Sequence, residues 1–538
     1  MNTKATTQDS DKSPILGNLE DGTQEYSNSG DDTSLWFKYL TVAAVIAILL
    51  VSIVIRFWTR SDMWLDEAQT FNIAHKPLGQ ITHFLRQDGS PPLYYYLLHF
   101  WISLFGTSNL AARSLAGVIS IITLVVAWFA GNSIGGRKVA WASLVTLACC
   151  PYAATYATTN RMYSLLTLEG LLAIWMAYEL RRHFTLLRAF ILFASVSLLI
   201  YTHYWSIFLI AAISLIFVYD IIWRRSKESL YGLVAILLAG LTFLPWFGDF
   251  LFQHAHTGTP WAQAPSLSAI SSTVGQFAGG VAQPNAGGDL LKIIYLLLIA
   301  LAIFGIARGS RRIELDLRTR PIGRYFALLF ALTMVIGVGA SKVVGIGFQA
   351  RYSAVVFPAF MLAVAYAFLT FDSTVIRRSI LGLTALVGIY ASVPNITENR
   401  TQAPEIASVI RAHYSPGDVV AYCPDQLGPD TSRALLGLSL KQYAFPRGNS
   451  PEIVNWINYL QTVKSANLNL FIHKVLSAAG PSHTIWLVWM PNYRGFGSDC
   501  AAIADALSSV RHSQISRLTP KSNVYEPSYL LEFPKLSG

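Results

Sequence analysis

The sequence predicts a mainly α-helical polytopic membrane protein that ends in a small extracytoplasmic α/β domain. Three observations predict it. The chain is 53% hydrophobic and only 13% charged, with a mean hydropathy of +0.43. Its apolar runs reach spanning length and are separated by short basic connections. After about residue 396 strand-like runs replace the long apolar ones. A composition this apolar belongs to chains for which lipid is part of the solvent, not to soluble enzymes. The formal net charge of +10 does not point to nucleic acid, because the Lys and Arg residues sit in clusters between apolar runs and not along one basic face. Four cysteines are too few for a disulfide framework or a zinc site, and the adjacent pair Cys149 and Cys150 reads as packing inside an apolar run.

In chain order, residues 1–35 carry seven acidic and two basic residues among Ser, Thr, Gly and Asn, so they cannot build a core and are expected to form a disordered cytoplasmic tail. They also lack the basic start of a secretory signal. A membrane span needs roughly 20 mostly apolar residues. Candidates fall at 36–58, 111–134, 138–157, 163–180, 188–205, 206–223, 229–249, 289–307, 322–340, 353–371 and 379–395, which makes eleven in a transmembrane domain over 36–395. Five connections are basic: Arg137 and Lys138; Arg181, Arg182 and Arg188; Arg224, Arg225 and Lys227; Arg308, Arg311, Arg312, Arg318, Arg320 and Arg324; Arg377 and Arg378. The positive-inside rule puts these in the cytoplasm. The stretch Phe247–Leu291 has no Lys or Arg and is expected outside. The N-terminus is then cytoplasmic and 396–538 lies outside the cell membrane. Thr202, His203 and Tyr204 must make a tight outer turn between two short spans.

The first outer loop, 59–110, carries the candidate site. WLDEA (Trp64 to Ala68) sets two adjacent carboxylates, Asp66 and Glu67, just beyond the first apolar run, where a membrane protein has no structural need of them. Adjacent carboxylates raise one another's pKa, which suits a base near neutrality. Loose amphipathicity over 67–86 and the aromatic run 92–105 read as helices lying along the interface. Between them DGSPP (Asp88 to Pro92) forms a rigid corner facing Asp66, with the prolines starting the second helix. In the C-terminal domain VVAYC, IWLVWM and YLLEF read as strands with helices such as 451–462 and 499–510 between them. Cys423 and Cys500 are either bridged, as an oxidising compartment would favour, or two buried thiols.

WLDEA, DGSPPLYYYLLHFW, SNLAARS, NRMYSL, YTHYW, LPW and RYSAVVFP occur in this order between residues 58 and 358. Together they resemble the GT-C type membrane glycosyltransferases, the group that includes protein O-mannosyltransferases and the lipid A aminoarabinose transferase. The resemblance implies an enzyme that takes a sugar from a polyprenyl-phosphate donor and adds it to an extracytoplasmic glycan, lipid or protein. It also implies that Asp66, the first acid of its motif, is the catalytic carboxylate, with Glu67 orienting the acceptor or supporting Asp66.

The chemistry asks for few groups. An acceptor hydroxyl must lose its proton, and charge on the departing phosphate must be neutralised. Arg161 in NRMYSL and Arg351 with Tyr352 in RYSAVVFP are the outer cations whose forks suit phosphate oxygens, and Lys342 adds a point charge. Snorkelling to lipid headgroups explains such cations equally well. Tyr163, His203 and Asp88 complete the substrate-binding set, although a histidine at a wet helix end is more often simply solvated. Arg113 either joins the site or pairs with an interface acid. No cofactor is called for; His254 and His256 with Asp249 would be the ligands of a divalent metal if their loop were ordered. Trp246, Trp261 and the tyrosines 94 to 96 would stack on sugar or form an interfacial aromatic belt. There is no P-loop, no dinucleotide fingerprint followed by a ribose-binding acid and no DxD motif in a soluble nucleotide-sugar domain, which fits a lipid-linked donor. The alternative is a transporter or flippase of lipid-linked sugars, which predicts charged residues at mid-membrane depth and repeated halves. Neither is visible in the sequence.

Overall fold

A computed structural model describes residues 35–258, 265–266, 268–281, 285–308, 312–345, 347–493 and 495–536. The expected acidic tail, Arg311 and Trp261 lie outside the described residues. Contact clustering separates Met1–Ala47 from Ile48–Gly538. Within the first unit only the start of helix α1 (Leu35–Ile55) is described. All packing below concerns the second.

The second unit is mostly helical up to about residue 400. The first outer loop folds into α2 (Leu65–Ala74), α3 (Leu78–Asp88) and α4 (Leu93–Phe105). Gly89 stops α3 in the left-handed region, and Pro92 opens α4 where its missing N–H is harmless. Then follow α5 (Asn109–Ala148), α6 (Pro151–Ala157), α7 (Tyr163–Leu180), α8 (Leu186–Thr202), α9 (Ser206–Arg224), α10 (Lys227–Leu241), α11 (Leu244–His256), α12 (Ser268–Gly279), α13 (Ala286–Phe304), α14 (Pro321–Val344), α15 (Phe357–Tyr366) and α16 (Thr374–Thr397). Strands β1 (Gly305–Ala307) and β2 (Ile313–Leu315) pair as a short antiparallel hairpin.

Gly135 and Gly136 leave helical geometry within α5, between the expected spans 111–134 and 138–157. Several expected spans are broken. Pro151 starts α6 as a separate piece of the expected 138–157 span. The 229–249 stretch becomes α10 and α11 bent by 69°, with Pro245 in the first turn of α11. The 353–371 stretch is a 3₁₀ turn at Ala350–Val355, the helix α15 and a second 3₁₀ turn at Ala367–Thr370. Among the described residues five helices are long and apolar enough to cross a membrane, or six with the bent pair counted as one, alongside shorter apolar helices such as α8. Thr202 ends α8 and His203 turns the chain into α9.

Buried polar groups hold the bundle at two points. Arg56 donates to the carbonyls of Ala148 and Leu147 at 2.7 and 3.0 Å, satisfying acceptors that the end of α5 leaves orphaned. Gly170 in α7 lets the backbone at Val355 come so close that a Cβ would sit 2.3 Å from the Val355 carbonyl oxygen.

Beyond the bundle, β3 (Val419–Cys423), β4 (Lys441–Ala444), β5 (Ile485–Trp489), β6 (Ile515–Leu518) and β7 (Tyr529–Phe533) form one sheet in the order β4-β3-β5-β7-β6. Strands β4, β3 and β5 run parallel, while β7 and then β6 are antiparallel. Because side chains alternate faces, Val419, Ala421, Ile485, Leu487, Leu531 and Phe533 join one core. Val420, Tyr422, Trp486, Val488 and Leu530 join the other. Cys423 and Cys500 are bridged. Leu65, at the start of α2, packs into the first of these cores, so the α/β segment braces the loop that carries the two carboxylates.

Gly170→Ala tests the close approach that seats the 3₁₀ turn carrying Arg351. Overpacking of about 1–3 kcal/mol should outweigh the gain in helix propensity of at most about 1 kcal/mol. Thermal unfolding of the purified protein should therefore show a lower midpoint than wild type.

Candidate functional site

Helix α2 sets out the two carboxylates on different faces, since adjacent residues are turned by about 100°. Glu67 is fully buried. Its carboxylate accepts from Arg113 Nε and Nη2 at 2.8 and 2.6 Å and from the Asn160 backbone N–H at 2.7 Å. Arg400 Nη1 stands 4.0 Å away. Burial opposes ionisation, but the Arg113 charge and hydrogen bond, with Arg400 and the Asn160 N–H, hold the carboxyl below its usual range. The expectation that the two acids raise one another's pKa therefore fails for Glu67, because three donors and two cations outweigh its neighbour. Of the two expected roles for Glu67, orienting the acceptor or supporting Asp66, the geometry fits the second: Glu67 locks α2 to α5 and to the start of α7. Arg113, which also donates to the carbonyls of Ser61 and Asp62, belongs to this lock.

Asp66 faces the other way. Its Oδ2 lies 3.0 Å from Arg351 Nη1. The pair is not aligned as a hydrogen bond, and the buried oxygen has no hydrogen-bond partner among the described residues. The Nε atoms of Arg161 and Arg351 are in the same position. Arg161 is held by Nη1, which donates to Thr70 Oγ1 at 2.6 Å and reaches the Asp66 carbonyl at 3.4 Å. Arg351 lies between the rings of Trp64 and Tyr352, at 5.8 and 5.9 Å from their centroids. His203 accepts the Trp205 backbone N–H on Nδ1 at 3.1 Å. Its ring lies 5.0 Å from Tyr352 and 6.1 Å from Tyr163.

These groups converge. A cavity of about 250 Å³ is lined by Asp66, Asp88, Arg161, Tyr163, His203, Arg351 and Tyr352 together with Gln69 and Trp456. Asp88 is already engaged, accepting from Gln69 Nε2 and from Tyr95 OH at 2.8 Å. A second cavity of about 630 Å³ shares Tyr163 and Arg351 with the first and adds Trp64, Arg400 and residues 522–525 of the α/β segment.

Other expected residues lie elsewhere. Lys342 is exposed in the last turn of α14 and lines neither cavity, because that turn runs on past the cavity wall. Asp249 pairs with Arg86 at 3.2 Å, His256 Nδ1 meets Asn458 Oδ1 at 3.2 Å, and His254 is exposed. Among the described residues no three His, Cys, Asp or Glu side chains gather as metal ligands. Trp246 and Tyr94 are buried and spent on Tyr204 OH and Asn160 Oδ1 at 2.9 and 3.2 Å. Sequence reasoning also missed some residues. Glu169 is a buried acid in α7, taking Thr202 Oγ1 at 3.0 Å, where no charge within a span was expected. Arg400, between α16 and the sheet, stands 4.0 Å from Glu67 and donates to Thr159 Oγ1 at 2.9 Å; as an arginine on the outer side of the last expected span it carried a signal in the sequence. Glu526 accepts the Leu65 N–H at 3.0 Å, a contact 461 residues apart that has no local signal.

A carboxylate and two arginines therefore line one cavity beside the helical bundle. Residues 89–247 match the family model of dolichyl-phosphate-mannose-protein mannosyltransferases. The fold is similar to the crystal structure of ArnT from Cupriavidus metallidurans bound to undecaprenyl phosphate, with a TM-score of 0.54 and 12% identity over 92% of this chain and 98% of that one. The apo form of the same ArnT gives 0.54 and 13% over the same shares. An oligosaccharyltransferase from Archaeoglobus fulgidus gives only 0.45 and 11%, over 83% of this chain and 67% of that one, and nothing is argued from it. No curated protein matches in sequence.

Arg113→Ala strands a buried carboxylate, which should cost about 3–5 kcal/mol near neutrality. A carboxyl held below its usual 4.5 stabilises the fold above that pH and stops doing so as pH falls through its folded value. The deficit of Arg113→Ala should therefore shrink below pH 4.5, as read from unfolding midpoints across a pH series.

Proposed function

We propose that this protein transfers a sugar from a polyprenyl-phosphate donor to a hydroxyl of an extracytoplasmic acceptor, with inversion and with Asp66 as general base. The observation that carries the reading is that Asp66, Arg161 and Arg351 line one cavity, while Asp66 Oδ2, Arg161 Nε and Arg351 Nε are buried without a hydrogen-bond partner among the described residues. Asp66 takes the proton of the acceptor hydroxyl, whose oxygen bonds to the anomeric carbon as the bond from that carbon to the phosphate oxygen breaks. The lipid phosphate leaves with the electron pair, and the forks of Arg351 and Arg161 meet its charge, a recognition that planar guanidinium donors suit. Tyr352 and His203 form the wall against which that phosphate would sit. A double displacement would need a second carboxylate as nucleophile. Glu67 is sealed in its lock and Asp88 is held by Gln69 and Tyr95, which favours a single displacement.

The membrane arrangement is proposed in the same terms: eleven spans with the basic connections in the cytoplasm, and the α/β segment outside, in keeping with its disulfide. ArnT from Cupriavidus metallidurans, similar in fold, binds undecaprenyl phosphate in its crystal structure, which supports the donor class.

Asp66→Asn keeps shape and volume. It should bind donor as wild type does and lose about 100- to 10,000-fold in turnover, the range of general-base catalysis. NMR of the product should find the anomeric configuration inverted. A retained configuration, or an active Asp66→Asn, would remove Asp66 from the role of base. Arg351→Ala should weaken binding of undecaprenyl phosphate by about 1.5–3 kcal/mol, the range for a hydrogen bond to a charged group. Arg351→Lys should recover only part of that, since the fork is lost. Equal affinity for the lipid in wild type and Arg351→Ala would assign the arginine to structure alone.

A further inference from the structure

The larger of the two adjoining cavities, about 630 Å³, carries four carboxamides on its wall. Its wall presents Gln276 from α12, Gln349 from the turn before Arg351, Asn399 from the segment after α16 and Asn523 from the α/β segment. None of these four carboxamides makes a side-chain hydrogen bond among the described residues, although each carries two donors and an acceptor with two lone pairs. Among the described residues the aliphatic side chains on the wall are Val281 and Val524. A cleft of similar size, about 610 Å³, lies beside α2, but its amides are used up: Asn72 Nδ2 donates to the Glu452 carbonyl and Asn109 Nδ2 to Asp62, both at 2.7 Å. Unspent carboxamides therefore distinguish the first cavity.

Aromatic faces complete it. Tyr525 is 70% exposed and stands edge-on to Trp64, 5.2 Å between centroids, and the Trp64 indole N–H has no partner among the described residues. Neutral amides that donate and accept, beside amphipathic rings, match a ligand with many hydroxyls and apolar C–H faces. An acyl chain would leave the amides unsatisfied, which costs free energy for each buried polar group.

Resting on the proposed transfer reaction, we propose that this cavity is the acceptor subsite and that it takes a neutral saccharide, held by Gln276, Gln349, Asn399 and Asn523 and faced by Tyr525. The body of the saccharide lies in the larger cavity, and its reacting hydroxyl passes Tyr163 and Arg351, the residues common to both walls, to reach Asp66. The acceptor is then a glycan terminus, not a peptide hydroxyl or an acidic lipid headgroup.

The test is a binding measurement that needs no turnover. The full-length protein in lipid nanodiscs is examined by saturation-transfer NMR with three probes: neutral di- and trisaccharides ending in mannose, galactose or arabinose; a Ser/Thr-rich peptide; and undecaprenyl phosphate. At least one saccharide should bind, and Gln276→Ala, Asn399→Ala and Asn523→Ala should each weaken it about 3- to 10-fold, the effect of one neutral hydrogen bond. Undecaprenyl phosphate should bind all three variants as it binds wild type, which also shows that they are folded. Asp66→Asn should still bind the saccharide. No saccharide binding, saccharide binding indifferent to all three variants, binding of the peptide alone, or loss of undecaprenyl phosphate in the variants would overturn the assignment. Saccharide bound at the carboxamides by a protein that shows no transfer would sink the reaction and leave the subsite standing, so the two readings fail separately.

Discussion

The buried carboxylate of Glu67 is the constraint on which the site depends. A charge this deep is tolerable only if paired and hydrogen-bonded, and the groups that satisfy it come from three separate parts of the chain: Arg113 from α5, the Asn160 N–H from the approach to α7, and Arg400 from the segment leaving α16. Meeting the electrostatic needs of one side chain thus fixes α2 against the bundle. The consequence falls on the neighbouring residue. With α2 locked in rotation and depth, Asp66 has no freedom but to face the cavity.

The α/β segment holds α2 from its other side. Trp64 provides no side-chain cap for α2, and the job is done by Glu526, whose carboxylate accepts the Leu65 N–H at 3.0 Å. Gln69 Oε1 accepts the Val454 N–H at 3.0 Å, while Arg433 stacks on Phe71 with its guanidinium 3.7 Å from the ring centroid. A helix of ten residues is marginal by itself, so tertiary contacts at both faces decide whether it holds its shape. The α/β segment is therefore part of the scaffold that holds α2.

Much of this was legible in the sequence, for identifiable reasons. Carboxylates and arginines in an apolar chain are rare and cannot be there for packing, so Asp66, Arg161 and Arg351 stood out. Composition and Pro or Gly punctuation announced most helices. What was not legible depended on direction. Asp66 and Glu67 are indistinguishable as letters, and only the helix phase sends one into a lock and the other into a cavity. Lys342 shares its charge with the arginines but sits in a turn that runs past the wall. The roles of Arg400, Glu526 and the four carboxamides rest on contacts between segments hundreds of residues apart, which no local pattern encodes. The broken spans at Pro151 and Pro245 were missed for a simpler reason: hydropathy averages over a window and does not see where a helix must stop.

The pair of Asp66 and Arg351 shows how such a site can rest without being consumed. A fully formed, bidentate pair would stabilise the empty protein but would have to be dismantled before either partner could act. Instead Arg351 touches Asp66 with Nη1 alone, out of hydrogen-bond alignment, and keeps Nε free of protein partners. A phosphate entering beside Tyr352 can therefore draw the guanidinium toward itself without first breaking an aligned bond, and as it does so the Asp66 oxygen becomes available to an acceptor hydroxyl arriving past Tyr163. The same arginine bounds both cavities. For the proposed reaction, the charge that would meet the leaving group also holds Asp66 before the donor binds, and the loose geometry of the resting pair suits that exchange.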